Sequence, residues 1–114
     1  MSSRFSETLT GGRTIRTIAS AAALPLPDVD EYFLISGTTT ITSIKQARPF
    51  PGRRVTFQAA SASTAVNFTS TDISTATNGQ IYLGTSFLLV RGGSITLRQN
   101  PDGVWQEESR CLLA

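Results

Sequence analysis

The sequence predicts an all-β fold: an antiparallel β-sandwich or jelly-roll-like single domain with an extended N-terminal arm. Three observations lead there. Apolar and polar residues alternate over short runs, turn residues punctuate those runs, and no stretch after residue 30 carries the spacing of an ordinary helix. Hydroxyl-bearing residues are abundant and Lys45 stands alone against nine arginines. Thr-rich chain of this kind favours extended structure, because β-branched side chains fit a pleated sheet better than a helix. A short β-solenoid is the competing architecture, since it too shows apolar pairs separated by turns.

Residues 1–30 read as the arm and residues 31–114 as the β domain. Gly11-Gly12 breaks the chain, and Thr14 to Ile18 is a short extended candidate. The alanines between Ile18 and Leu24 favour a helix too short to be stable alone. Leu24-Pro25-Leu26-Pro27 is held near polyproline geometry and cannot continue a central strand. From Glu31 the period becomes two, with Phe33 and Ile35 facing one way and Tyr32 and Leu34 the other. A second extended run after Gly37 contributes Ile41 and Ile44. Beyond Pro49, Pro51 and Gly52, Val55 and Phe57 alternate with Arg54, Thr56 and Gln58. Ala65 to Phe68 is a further alternating run, and a polar loop from Thr69 to Gly79 follows it.

The last third is the most regular. The pairs Ile81/Leu83, Phe87/Leu89 and Ile95/Leu97, followed by the strand that opens at Trp105, read as an antiparallel meander. Asn100-Pro101-Asp102-Gly103 predicts a turn with Gly103 in the left-handed position. The predicted core is therefore Phe33, Ile35, Ile41, Ile44, Val55, Phe57, Phe68, Ile81, Leu83, Phe87, Leu89, Ile95, Leu97 and Trp105. Trp105 is in register with the apolar alternation, which favours a core role over a sugar-stacking platform.

At 114 residues the chain supports one domain with a modest core. The net charge of +2 is small and its cations are scattered. Arg53-Arg54 is the only adjacent basic pair, too little to track phosphates, so no nucleic-acid partner is expected. No stretch approaches the roughly 20 apolar residues of a helical membrane span, so no membrane partner is expected either. The apolar run at residues 18–24 is too short and too small-residue dominated for a secretion signal; a secreted adhesion domain would require that signal to be real. Histidine is absent, which removes His-based nucleophile activation and the commonest zinc ligand. The lone Cys111 permits no disulfide within the chain, leaving a reduced thiol or a bond between chains. Of the acids Glu7, Asp28, Asp30, Glu31, Asp72, Asp102, Glu107 and Glu108, the adjacent pair 107–108 would point to opposite faces of a strand and form no dyad. The expectation is a non-enzymatic protein with no catalytic residues, metal or cofactor.

The run Ile35-Ser36-Gly37-Thr38-Thr39-Thr40-Ile41-Thr42-Ser43-Ile44, followed by Pro51-Gly52-Arg53-Arg54-Val55-Thr56-Phe57, resembles paired strands that recur in phage structural proteins. The ending is similar too: Ile95-Thr96-Leu97, Asp102-Gly103, Trp105 and Ser109-Arg110. Together these cover residues 31–110. The middle, Gln58 to Gly79, departs by being more polar, and the last four residues extend past the usual end. The resemblance implies a virion module of the kind found in capsid decoration (cement) proteins, head fibres, tail fibres and tailspikes, commonly homotrimers. A short chain beginning at Met1 fits a decoration protein better than a long fibre. The implied function is a trimeric protein of the capsid surface, assembled in the host cytoplasm, that stabilises the head by binding between subunits of the major capsid protein. Its expected contact residues are Arg4, Arg13, Ile15, Arg16, Ile18, Phe50, Arg53 and Arg54. The alternative is a tail or head fibre component binding host surface glycan through exposed aromatics such as Phe50 or Tyr82.

Overall fold

The computed structural model describes residues 15–48 and 50–111, and among them the chain is β throughout, with no helix. Ten strands follow one another: β1 (Arg16–Ala19), β2 (Ala23–Pro25), β3 (Tyr32–Ser36), β4 (Ser43–Lys45), β5 (Arg54–Ala59), β6 (Ala65–Phe68), β7 (Ile81–Tyr82), β8 (Phe87–Val90), β9 (Ser94–Gln99) and β10 (Trp105–Cys111). They form a six-stranded sheet in the order β1-β3-β5-β9-β10-β7 and two small sheets, β2-β4 and β6-β8.

The pairing is mixed, which corrects the antiparallel expectation. β1, β3 and β5 stack in parallel, placing Ile18 beside Ile35 and Phe33 beside Phe57. β2 and β4 do the same, with Leu24 beside Ile44. A bridge continues that small face from Ile41 to Phe68, also in parallel. The chain thus runs through one face, turns, runs through the other, and returns one strand further along. Parallel neighbours need such a long return. Here the corners are taken by Asp30 and Gly37, at φ 72° and 89°. Alternation alone cannot distinguish this winding from a meander, because inward and outward positions have the same period in both.

Two further expectations change. Among the described residues, strands form from Arg16 onward, inside the segment expected as an arm, because β1 and β2 pair with β3 and β4 and bury Leu24 and Leu26. For the same reason residues 18–24 hold the end of β1, a bend at Ala22 and the start of β2, with no helix. In the last third only β9 and β10 form the expected hairpin; β8 pairs with β6, and β7 lies parallel to β10. The Asn100–Gly103 turn closes that hairpin with Gly103 at φ 90°, its N–H donating to the Asn100 carbonyl.

Each predicted core residue is at most 3% exposed, and Leu24, Leu26, Val66 and Val104 join them. A row of rings ties the sheets together. Phe33, Phe57, Phe68 and Phe87 follow at centroid separations of 6.2, 5.9 and 6.1 Å, the first two on the large sheet and the last two on β6 and β8. These tilted contacts add to the area each ring buries. Phe57 sits within the row, so Phe57→Ala is expected to cost about 3–5 kcal/mol of stability. Urea unfolding would measure it, and a loss below about 1 kcal/mol would be inconsistent with a row that joins the sheets.

Arg110 fastens the far end. Its guanidinium donates to both Glu107 carboxylate oxygens and to the Thr85 carbonyl, and lies 5.0 Å from the centre of the Phe87 ring. Hydrogen bonds from Arg110, chiefly, hold the Glu107 carboxyl below its ordinary value, and the Gly84 N–H adds to the effect. A carboxyl depressed on folding stabilises the fold above its unfolded titration range and loses that contribution as pH falls through the folded value. Acid unfolding curves of the native chain and Glu107→Gln should therefore converge towards low pH and differ most near neutrality. Curves separated by a constant amount across the acid range would rule out this linkage.

Candidate interface around the Phe50 loop

Five large apolar side chains are exposed among the described residues, Ile15, Val29, Phe50, Ile73 and Leu88. Two of them, Val29 and Phe50, at 55 and 37% exposure, belong to segments that Arg53 joins. Arg16, next to Ile15, donates to Asp30 at 3.0 Å. Asp30 and Val29 offer their carbonyls to one nitrogen of Arg53, at 2.7 and 3.3 Å. The Arg53 guanidinium carbon lies 5.9 Å from the Phe50 ring centre, and that of Arg48 lies at the same distance. A concavity of about 300 Å³ opens here, lined by Asp28, Asp30, Glu31, Phe50, Pro51 and Arg53.

The loop carrying Phe50 is pinned by a residue that the sequence reading passed over. Gln99 is 1% exposed. Its side-chain oxygen accepts the Phe50 N–H at 2.8 Å and the Gln46 amide at 2.7 Å, and its own amide donates to the Gly103 carbonyl at 3.3 Å. Its backbone exchanges hydrogen bonds with Gly52 and Arg53. The signal was present: Gln99 is the third inward position of β9 after Ile95 and Leu97, a polar residue where the alternation calls for an apolar one. Such a residue is tolerated inside only when its polar atoms are satisfied.

The expected contact residues separate into distinct environments. Arg4 and Arg13 lie outside the described residues. Ile15 and Phe50 are exposed, whereas Ile18 is half-buried and packs against the core from the edge strand β1. Arg16 is engaged with Asp30. Arg53, just before β5, and Arg54, its first residue, reach different partners. Arg53 ties down Pro27, Val29, Asp30 and Gln46; burial pulls its guanidinium below the ordinary arginine value, while Asp28, Glu31 and Asp30 oppose the shift. Arg54 instead reaches Glu108 at 2.6 Å, which Arg98 also binds at 3.0 Å. Glu108 and Glu107 engage different arginines, so the adjacent pair forms no shared site. Tyr82 is half-buried on β7 rather than displayed on a loop, and Trp105 is fully buried.

Chemically, the site combines an aromatic knob with apolar neighbours on a backbone held in place before any partner arrives. Preorganisation of that kind lowers the ordering cost of association. Gln99→Leu keeps the shape but leaves the Phe50 N–H and the Gln46 amide without their acceptor. The expected cost is about 1–3 kcal/mol, together with faster exchange of the Phe50 amide proton. Unchanged exchange would show that the loop is held by something other than Gln99.

No family model, no curated protein and no solved structure matches this chain.

Proposed function

We propose that this chain is a bacteriophage virion structural protein, a homotrimeric decoration protein that binds between subunits of the major capsid protein on the capsid surface. The observation that carries the reading is the exposed Phe50 ring on a loop that Gln99 and Arg53 hold against the Val29–Asp30 segment. Exposed apolar groups gathered on a rigid support, with charged side chains around them, have the anatomy of a protein interface. Low charge and a hydroxyl-rich surface suit dense packing on a shell.

The architecture fits this use. We read the domain as a short β-solenoid whose parallel coils end in the antiparallel β9–β10 hairpin. The segments resembling phage proteins supply the corner at Gly37, the inward residues Ile41 and Ile44, and strand β5. The resemblance therefore concerns how coils stack and turn. Among the described residues, β1 has no neighbour on its outer side, and a strand edge of this kind can accept another chain.

A second reading, a fibre component binding host glycan, draws on the concavity where Phe50 stands beside three carboxylates. The two readings separate by experiment. Shells of the major capsid protein from the same virus would be incubated with the protein, and bound copies counted by mass spectrometry and imaging. Occupancy in fixed ratio to the capsid protein is expected. The triple variant Ile15→Ser, Val29→Ser, Phe50→Ser should lose on the order of tenfold or more in affinity, with little change in unfolding midpoint, since all three side chains are exposed. Binding to glycans but not to shells would overturn the decoration reading. Deleting residues 2–14 tests the arginines Arg4 and Arg13 and leaves β1 in place.

A further inference from the structure

We infer that Asn78–Gly79 is a site of spontaneous deamidation held closed by the β9–β10 turn, so that the modification marks only chains in which that turn has opened. Its chemistry needs no partner and no cofactor.

An asparagine cyclises when the backbone nitrogen of the next residue attacks its side-chain carbon, and a following glycine offers that nitrogen with no side chain in the way. The chain has three asparagines. Asn67 is followed by the bulky Phe68, and Asn100 by Pro101, whose ring nitrogen has no proton to give up. Asn78 alone precedes a glycine, and it is exposed. In the reaction the Gly79 nitrogen bonds to Cγ of Asn78, the Cγ–Nδ2 bond breaks, and the nitrogen's proton leaves with Nδ2 as ammonia. Water then opens the cyclic imide at either carbonyl, leaving aspartate or isoaspartate at position 78.

The native geometry opposes this attack. Asn78 and Gly79 are the central residues of a turn closed by the Gln80 N–H on the Thr77 carbonyl at 2.9 Å, with Gly79 at φ 88°. The attacking group is occupied, because the Gly79 N–H donates to the Gly103 carbonyl at 3.0 Å. The Gly79 carbonyl in turn accepts the Ile44 N–H at 2.7 Å. The Asn78 carboxamide rests against Gly103, where an added methyl group would stand only 2.8 Å from Cγ. Cyclisation therefore needs the Gly103 carbonyl withdrawn and the carboxamide turned towards the Gly79 nitrogen, so that the reacting atoms align. Both happen when the Asn100–Gly103 turn lifts away, a local opening that costs less than global unfolding.

The mark is lasting. Either product adds a carboxylate and lowers the formal net charge of +2 by one, in a concavity that Lys45 also lines. Isoaspartate also inserts a methylene into the backbone ahead of the Gly79 N–H, so the Thr77–Gln80 turn cannot close as before.

The test follows the full chain at mildly alkaline pH, native and in urea. Deamidation is read from the mass of the peptide holding residues 78 and 79, and isoaspartate by enzymatic methylation. The native chain should react more slowly than the chain in urea by on the order of tenfold or more. Protection of the Gly79 amide proton from exchange should match that factor, since both processes break the same bond to Gly103. Asp102→Ala removes the side-chain acceptor of the Val104 N–H within the turn and should speed the native reaction, with the urea midpoint verifying that the variant folds. Equal rates in the native chain and in urea, or an unprotected Gly79 proton, would overturn the guard. A native rate unmoved by Asp102→Ala would overturn the part given to the turn, and no mass change in urea would overturn the site itself.

Discussion

The row Phe33–Phe57–Phe68–Phe87 is the constraint on which the rest of the molecule depends. A domain of this size buries a modest fraction of its surface, and its sheets share few backbone hydrogen bonds with one another. Most of the cohesion between them must come from side chains that meet across the interior. The phenylalanines do this in sequence, from the parallel strands β3 and β5 to the antiparallel pair β6 and β8. Inward residues above and below them, such as Ile35, Val66 and Leu97, complete a single apolar cluster.

That core also explains how a polar hub can exist near its edge. Gln99 continues the inward parity of β9 beyond Leu97, where the hairpin turn begins and apolar neighbours give way to backbone. Its amide replaces water for the Phe50 N–H, Gln46 and the Gly103 carbonyl at once. A satisfied polar group in a low-dielectric setting fixes position as firmly as packing does. Arg53 extends the same logic outward by collecting three carbonyls from residues 27–30. The loop and the chain before β3 are therefore one rigid unit, and the apolar side chains displayed on it keep a defined spacing.

The exposed surface is uneven in character. Around Arg54, Arg98 and Glu108 the large sheet shows paired charges open to solvent, which contribute little to stability and keep that region hydrated. On the outer face Thr56 and Thr96 hydrogen-bond across β5 and β9 at 2.8 Å. At the opposite extreme, Ile15, Val29 and Phe50 leave apolar area uncovered on a scaffold that would tolerate polar residues there. The contrast within one small domain is what directs the functional proposals to the Phe50 end.

By itself the sequence determined the inward residues of the alternating runs, the Asn100–Gly103 turn and that the chain would be β-structured. These are properties of single positions: an alternating apolar residue has one buried side whatever strand lies beside it, and Gly103 closes a hairpin by its own backbone freedom. Only the tertiary structure decided which strands become neighbours, because parallel and antiparallel partners place identical demands on the alternation. It also brought β1 and β2 into the body of the fold, where Leu24 and Leu26 join the apolar cluster formed with later strands. The knot of Arg53, Asp30 and Phe50 joins segments that are separated in the chain. Their meeting is set by which strands pair, which no local pattern encodes.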